Sequence, residues 1–204
     1  MKPTEKRRGV PDHPVAVSWD DGWAFGTGSD DAKIGLFTEF LFPELVHLHG
    51  RVRVDPFTLV TCGLEAHDGV HISNHVFLNG GGGQKVVLHR WSFVGSGSRL
   101  ITASDDFTGV YGPIGPFGKN LMQRGDIIFW PFSGVAIGCS VLPGTELPEG
   151  VCIAAHGLVD PVYAEQFEEW CVYACPPGRE PRLLYRRDKE TCIRLADDPE
   201  FQNA

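Results

Sequence analysis

The sequence predicts an all-β chain wound as a parallel β-helix, with an extended loop insertion and a short C-terminal tail. Three observations predict it: apolar residues recur every six positions, the residues between them are turn formers, and helical signals are nearly missing. Stepping by six from Leu64 gives Leu64, Val70, Val76, Gly82, Leu88, Val94 and Leu100, with Gly82 the one break. A second series runs Phe129, Val135, Val141, Leu147, Ile153 and Val159. With 42% hydrophobic residues, six chosen positions are all apolar by chance roughly half a percent of the time, so two such series specify a repeat. Gly, Ser, Asn, Asp and Pro fill most of the spaces, making each unit a very short strand followed by a turn. Such units stack with backbone hydrogen bonds running from coil to coil.

Taken in order, residues 1–50 are rich in Trp and Phe and carry a weak six-residue echo in Ile34, Phe40, Val46 and Val52. They read as an N-terminal cap or as early irregular coils. The regular coil is expected over 51–160. Its two series are out of phase, because the step from Leu100 to Phe129 is not a multiple of six. A loop is therefore inserted over 105–123, containing FTGVYGPIGPFGKN, and long loops in repeat folds carry function. Residues 161–204 read as a C-terminal tail packing on the coil.

At 204 residues the chain is one domain's length. The basic start MKPTEKRRGV is followed by no apolar run of signal or membrane-spanning length, so the chain reads as cytoplasmic, with no membrane partner. The six cysteines form no C-x-x-C pair and read as free thiols. A net charge of -8 argues against nucleic acid as a partner. Against that acidic background Arg179, Arg182, Arg186, Arg187 and Lys189 gather near the C-terminus, either as a site for a phosphorylated small molecule or as a solvated basic face.

From Arg51 to Arg187 the chain resembles the hexapeptide-repeat acyltransferases, in their sugar and nucleotide-sugar O- or N-acetyltransferase branch. The resemblance rests on VHISNHVFLNGGGG, TASDDFTG, PIGP and LPGTELPEGVCIAAHGLV in collinear order, closed by WCVYACPP and PRLLYRR. It implies a left-handed winding, a homotrimer, and acetyl-coenzyme A as co-substrate in the groove between subunits. It also implies a sugar or nucleotide-sugar acceptor. Ala136, Gly138, Ala154 and Ala155 are small enough to lie against a pantetheine arm, or else make tight turns, and Arg179, Arg182 and Arg186 suit its phosphates. No metal is expected.

Acetyl transfer needs a base for the acceptor's proton and donors for the tetrahedral oxyanion. His71 follows the inward Val70, so it points outward, and it matches a His in related sugar acetyltransferases. Asp105 is the second catalytic candidate, standing where the galactoside and maltose branch has a His. Asp106, His75 and Asn79 are candidates for holding the acceptor, and Gly80 to Gly83 for letting it approach the backbone, although Asp and Gly equally make turns. PEG at 148–150, FWPFSG at 129–134 and His156 depart from the family pattern. Two alternatives compete: a non-catalytic scaffold or binding subunit, and a γ-carbonic-anhydrase-like zinc site built from His67, His71, His75 and His89.

Overall fold

The computed structural model describes residues 16–17, 23–25, 31–105 and 122–199. They form a left-handed parallel β-helix of about six turns, triangular in section, with short antiparallel strands at both ends of one face.

One face of the prism is a sheet in which Lys33–Gly35, Arg53–Val54, His71–Ile72, Phe93–Val94, Gly134–Val135, Cys152–Ile153 and Cys171–Ala174 stack in parallel. Ile34, Val54, Ile72, Val94, Val135, Ile153 and Tyr173 lie in one row and point inward. A second face stacks Phe40, Val60, Leu78, Leu100, Val141 and Val159; a third stacks Leu48, Ala66, Leu88, Phe129 and Leu147. Aliphatic side chains fill these rows because only one side chain per short strand reaches the narrow axis. Removing each from water is worth about 1.5–3 kcal/mol. Two positions earlier the interior also takes small polar residues, which bond to backbone: Thr58 Oγ1 donates to Ser73 O (3.2 Å), Ser98 Oγ to Ala136 O (3.0 Å), and Thr145 Oγ1 to Leu142 O (2.8 Å).

The coil starts earlier than the regular repeat does. Lys33–Gly35, Glu39–Phe40 and Val46–Leu48 make a complete first turn, with a 3-10 turn at Pro43–Leu45 before its third strand. A full turn is three repeats of six from Val54 to Ile72 and again from Val135 to Ile153. The turn from Ile72 to Val94 is slightly longer, and the one from Val94 to Val135 is more than twice the regular length. The four extra residues of the first long turn bulge out of Phe77–Leu88 in two shifts of pairing: one residue between Val60 opposite Leu78 and Cys62 opposite Gly81, and three between Cys62 opposite Gly81 and Gly63 opposite Lys85. Gly82 is therefore not an inward position but part of this exposed bulge. Leu64, Val70 and Val76 lie two places ahead of the inward row. Leu88 resumes the count of six only because the bulge and that offset together make one repeat. The second interruption is the expected insertion, entered by Ala103–Asp105 and left by Met122–Arg124, which pair antiparallel; residues 106–121 lie outside the described residues.

The tail is less uniformly β than the sequence predicts. Asp160 caps a short helix, Pro161–Ala164, by accepting from the Val162 N–H (2.9 Å), and Asp188 caps Lys189–Ala196 through Thr191. Among the described residues no helix is long and apolar enough to cross a membrane, and all six cysteines are free.

Candidate active site

The sheet that carries His71 meets the second face at a corner built from three residues per turn, the last with positive φ. Successive turns supply Asp55-Pro56-Phe57, Ser73-Asn74-His75, Gly95-Ser96-Gly97, Ala136-Ile137-Gly138 and Ala154-Ala155-His156. Backbone bonds hold them in register: the N–H groups of His75, Gly97, Gly138 and His156 donate to Pro56, Asn74, Ser96 and Ile137.

His71 points outward between the buried Val70 and Ile72, as alternation along a strand demands. Its Nε2 lies 2.9 Å from Oδ2 of Asp55 on the preceding turn, and Oδ1 of Asp55 accepts from Arg53 Nε at 2.8 Å. An ionised carboxylate can only accept, so in the neutral ring this contact puts the proton on Nε2 and leaves Nδ1 its lone pair. Asp55 is a residue the sequence pattern did not single out. Its one signal is a spacing from His71 that falls two short of a full turn, which means little until the turn length is known.

Below His71 the same edge is lined by small residues. Ala136 and Ala154 are half-buried and Ala155 is exposed. Gly95 belongs with them and was also missed: a Cβ there would sit 2.5 Å from the Ala136 carbonyl carbon, so the two turns can close only on glycine. Gly138 is not open in the same way, because the His156 ring covers it, with Nδ1 2.6 Å from where its Cβ would be. The terminal strand Arg182–Arg186 pairs with Cys171–Ala174 and sets Arg182 opposite Ala174, in line with Ala154. Arg179 is exposed in the turn just before it. Arg186 stands at the far end of that strand, bound to Glu168 at 2.7 Å, and Arg187 is used internally: it donates to the carbonyls of Phe132 and Gly150, 2.7 Å each. The structure thus brings Arg179 and Arg182, but not Arg186 or Arg187, to the edge with the small residues.

Asp105 and Asn79 are elsewhere. Both lie where the second face turns into the third, across the prism from the sheet of His71. Asn79 Oδ1 accepts from Thr61 (3.1 Å), and its carbonyl accepts from Thr102 N (2.7 Å) and Oγ1 (3.1 Å). Gly80 is required by that packing, since a Cβ would meet Thr102 Oγ1 at 1.8 Å. Asp105 pairs opposite Met122 at the root of the insertion, and Asp106 lies outside the described residues. His75 sits on the shared corner, stacked on Phe57. The histidines of the zinc alternative are dispersed. His67 and His89 stack face to face on the third face, 5.2 Å apart; among the described residues of a single chain no group of three potential ligands converges.

A separate groove of about 460 Å³ lies by Trp130 and the helix Pro161–Ala164. Glu146, Glu149, Glu165 and Glu169 line it, so its charge opposes a polyphosphate ligand.

Among solved structures, the N-acyltransferase AntD from Bacillus cereus, in complex with dTDP and 3-hydroxybutyryl-CoA, superimposes with a TM-score of 0.72, at 19% identity, over 85% of this chain and 89% of that one. The chain has the fold of AntD. A variant of AntD in complex with dTDP-4-amino-4,6-dideoxyglucose and coenzyme A superimposes with a TM-score of 0.68, at 20% identity, over 80% of this chain and 84% of AntD. At these identities the likeness to AntD is one of fold. No protein-family model matches the sequence, and no curated protein does.

Proposed function

We propose that this chain is an acyl-coenzyme A-dependent acyltransferase that acylates a hydroxyl or amino group of a sugar or nucleotide sugar. The observation that carries the reading is the single edge on which the Asp55–His71 pair, the small residues Gly95, Ala136 and Ala154, and the cations Arg182 and Arg179 follow one another from turn to turn. From the His71 strand to the Arg182 strand is five strand spacings, roughly 24 Å. An extended thiol arm can lie along the small residues with its reactive end near His71 and its phosphates near the arginines. AntD, with the same fold, was crystallised with an acyl-coenzyme A and with a dTDP-linked amino sugar, and both ligand classes suit this edge.

The fit is one of shape and charge. Small side chains admit the pantetheine arm, and Arg179 and Arg182 are exposed where phosphates would end. The bound thioester supplies the acyl group; everything else falls to the chain. Asp55 fixes the His71 ring and its tautomer, Nδ1 accepts the proton of the acceptor's hydroxyl or ammonium group, and the imidazolium formed is stabilised by the same carboxylate. The leaving thiolate can take that proton back.

The active unit is a homotrimer in this reading. Asp105 and Asn79 lie across the prism from His71, so a site using them together must draw them from neighbouring subunits. Asp105, with Asp106 beside it in sequence, would then face the acceptor from the partner's insertion. Cytoplasmic localisation and a role in polysaccharide biosynthesis accord with such a substrate.

The test is release of free thiol from acetyl-CoA and longer acyl-CoAs against a panel of sugars and dTDP-amino sugars. Acceptor-dependent release supports the reading. A complete lack of release, with no calorimetric binding of acyl-CoA at millimolar concentration, would leave a non-catalytic β-helix.

A further inference from the structure

The third column of the same corner is a ladder of rings. Phe37, Phe57 and His75 all have φ near +60°, and their rings stack at centroid distances of 5.2 and 5.1 Å with interplanar angles of 8° and 5°. The next member of the column is Gly97, also at positive φ, φ +70°, and there the ladder stops. Apart from its chain neighbours Ser96 and Ser98, none of the described residues comes within 4 Å of where a Cβ on Gly97 would be. The column resumes two turns later with His156, whose ring leans on Gly138. One face of the His75 imidazole is thus covered by Phe57, and on its other side the next turn offers a glycine, with no ring, and an open point where its Cβ would be. Asn74 and Ser96 flank it in the middle column, and the exposed Arg99 follows two residues after Gly97.

We infer that this space takes a planar nucleobase, stacked on His75 above Gly97, with the phosphates of the same nucleotide directed to Arg99. The ladder already has the ring separation and parallel planes of stacked aromatic systems, so a fourth ring adds to it without rearrangement. A base edge needs polar partners, which Asn74 and Ser96 offer, and a diphosphate needs a cation, which Arg99 offers. An aromatic peptide side chain would use the stack but neither of the others. Naming this nucleotide as the carrier of the acceptor sugar rests on the transferase reading; the stack itself does not.

A base can come from the nucleotide sugar or from the adenine end of coenzyme A, so calorimetric titration of the full chain uses dTDP and adenosine 3′,5′-bisphosphate separately. The nucleotide that occupies the slot is expected to bind His75→Ala about 5- to 150-fold more weakly, the range for losing one base–aromatic stack, and His75→Phe almost as well as wild type. Gly97→Phe fills the slot from within. A left-handed backbone strains any side chain, but Phe37, Phe57 and Phe132 hold that conformation in this chain, so the variant should fold with a modestly lower melting temperature while losing the nucleotide. Arg99→Gln should weaken dTDP but leave thymidine unchanged. The inference is overturned if neither nucleotide binds, or if the one that binds is indifferent to His75→Ala and to Gly97→Phe. Thiol release tells the two proposals apart: His75-dependent nucleotide binding without acyl transfer removes only the transferase, and transfer with nucleotide affinity unchanged in both variants removes only the stack.

Discussion

Asp55 reaches His71 from the turn before, and the 2.9 Å contact sets what each residue should do when changed. His71→Ala removes the base, and kcat should fall by about 10²–10⁴-fold with KM little altered. Asp55→Asn keeps the shape but no longer holds the ring by charge. A smaller fall in kcat is expected, with a displaced pH–rate profile, because Asp55 acts through His71 and touches no substrate. Steady-state kinetics across pH check both; an unchanged profile in Asp55→Asn would leave the carboxylate a purely structural neighbour. Gly95→Ala belongs at this scale too. The added methyl meets the Ala136 backbone, which cannot move aside, and thermal unfolding should show a loss of about 1–3 kcal/mol. The outward direction of His71 was legible because alternation along a strand is a local rule. Asp55 and Gly95 were not, since both depend on which turn lies above which.

At the scale of elements, the third face carries a second column of rings, His49, His67, His89 and Trp130, stacked at 5.1, 5.2 and 4.7 Å. Glu65 lies against His67 at 3.3 Å and is itself bound to Lys85, while Glu146 accepts from Trp130 Nε1. Burial, and then the neighbouring His67, lower the pKa of His89 below its ordinary value, with Glu65 opposing. A histidine whose folded pKa is depressed binds its proton more readily when unfolded. Its contribution to stability is therefore intact above about pH 6.5 and is lost as pH falls from there through the folded pKa. Denaturant titrations at several pH values should show this slope, and His89→Gln should flatten it. The C-terminal strand depends on Arg187, which bonds two carbonyls and lies over the Trp170 ring at 5.5 Å. Arg187→Ala leaves those carbonyls without their charged donor and should cost about 2 kcal/mol, seen as faster proteolysis of the tail. The FWPFSG segment, out of pattern in the sequence, finds its reason in these contacts: Trp130 ends the ring column, and the Phe132 carbonyl anchors Arg187.

For the whole molecule, the first sheet is closed at both ends by antiparallel strands. Trp23–Phe25 pairs with Lys33–Gly35 at one end of the first sheet, and Arg182–Arg186 with Cys171–Ala174 at the other. Unpaired strand edges invite further stacking of chains, and on the first sheet these added strands take the place of such an edge partner. Light scattering should report a trimer. Mixing inactive His71→Ala subunits with inactive Asp105→Asn subunits should restore part of the activity if the two residues serve one site from different chains, whereas a site within one chain would give no recovery.

The sequence by itself determined the coil. An apolar residue every sixth position with turn formers between is a local pattern, and only a stack of short strands around a narrow axis buries it. It also located the insertion, because a break in a period shows in the numbering alone. What the tertiary structure decided was phase and neighbourhood. A bulge hidden in a glycine run shifted the inward row by two places, and an insertion more than doubled the length of one turn. Contacts across turns follow those lengths rather than the repeat. Only the folded chain could show that His71 stands with Asp55 and the small-residue edge, while Asp105 stands on the other side.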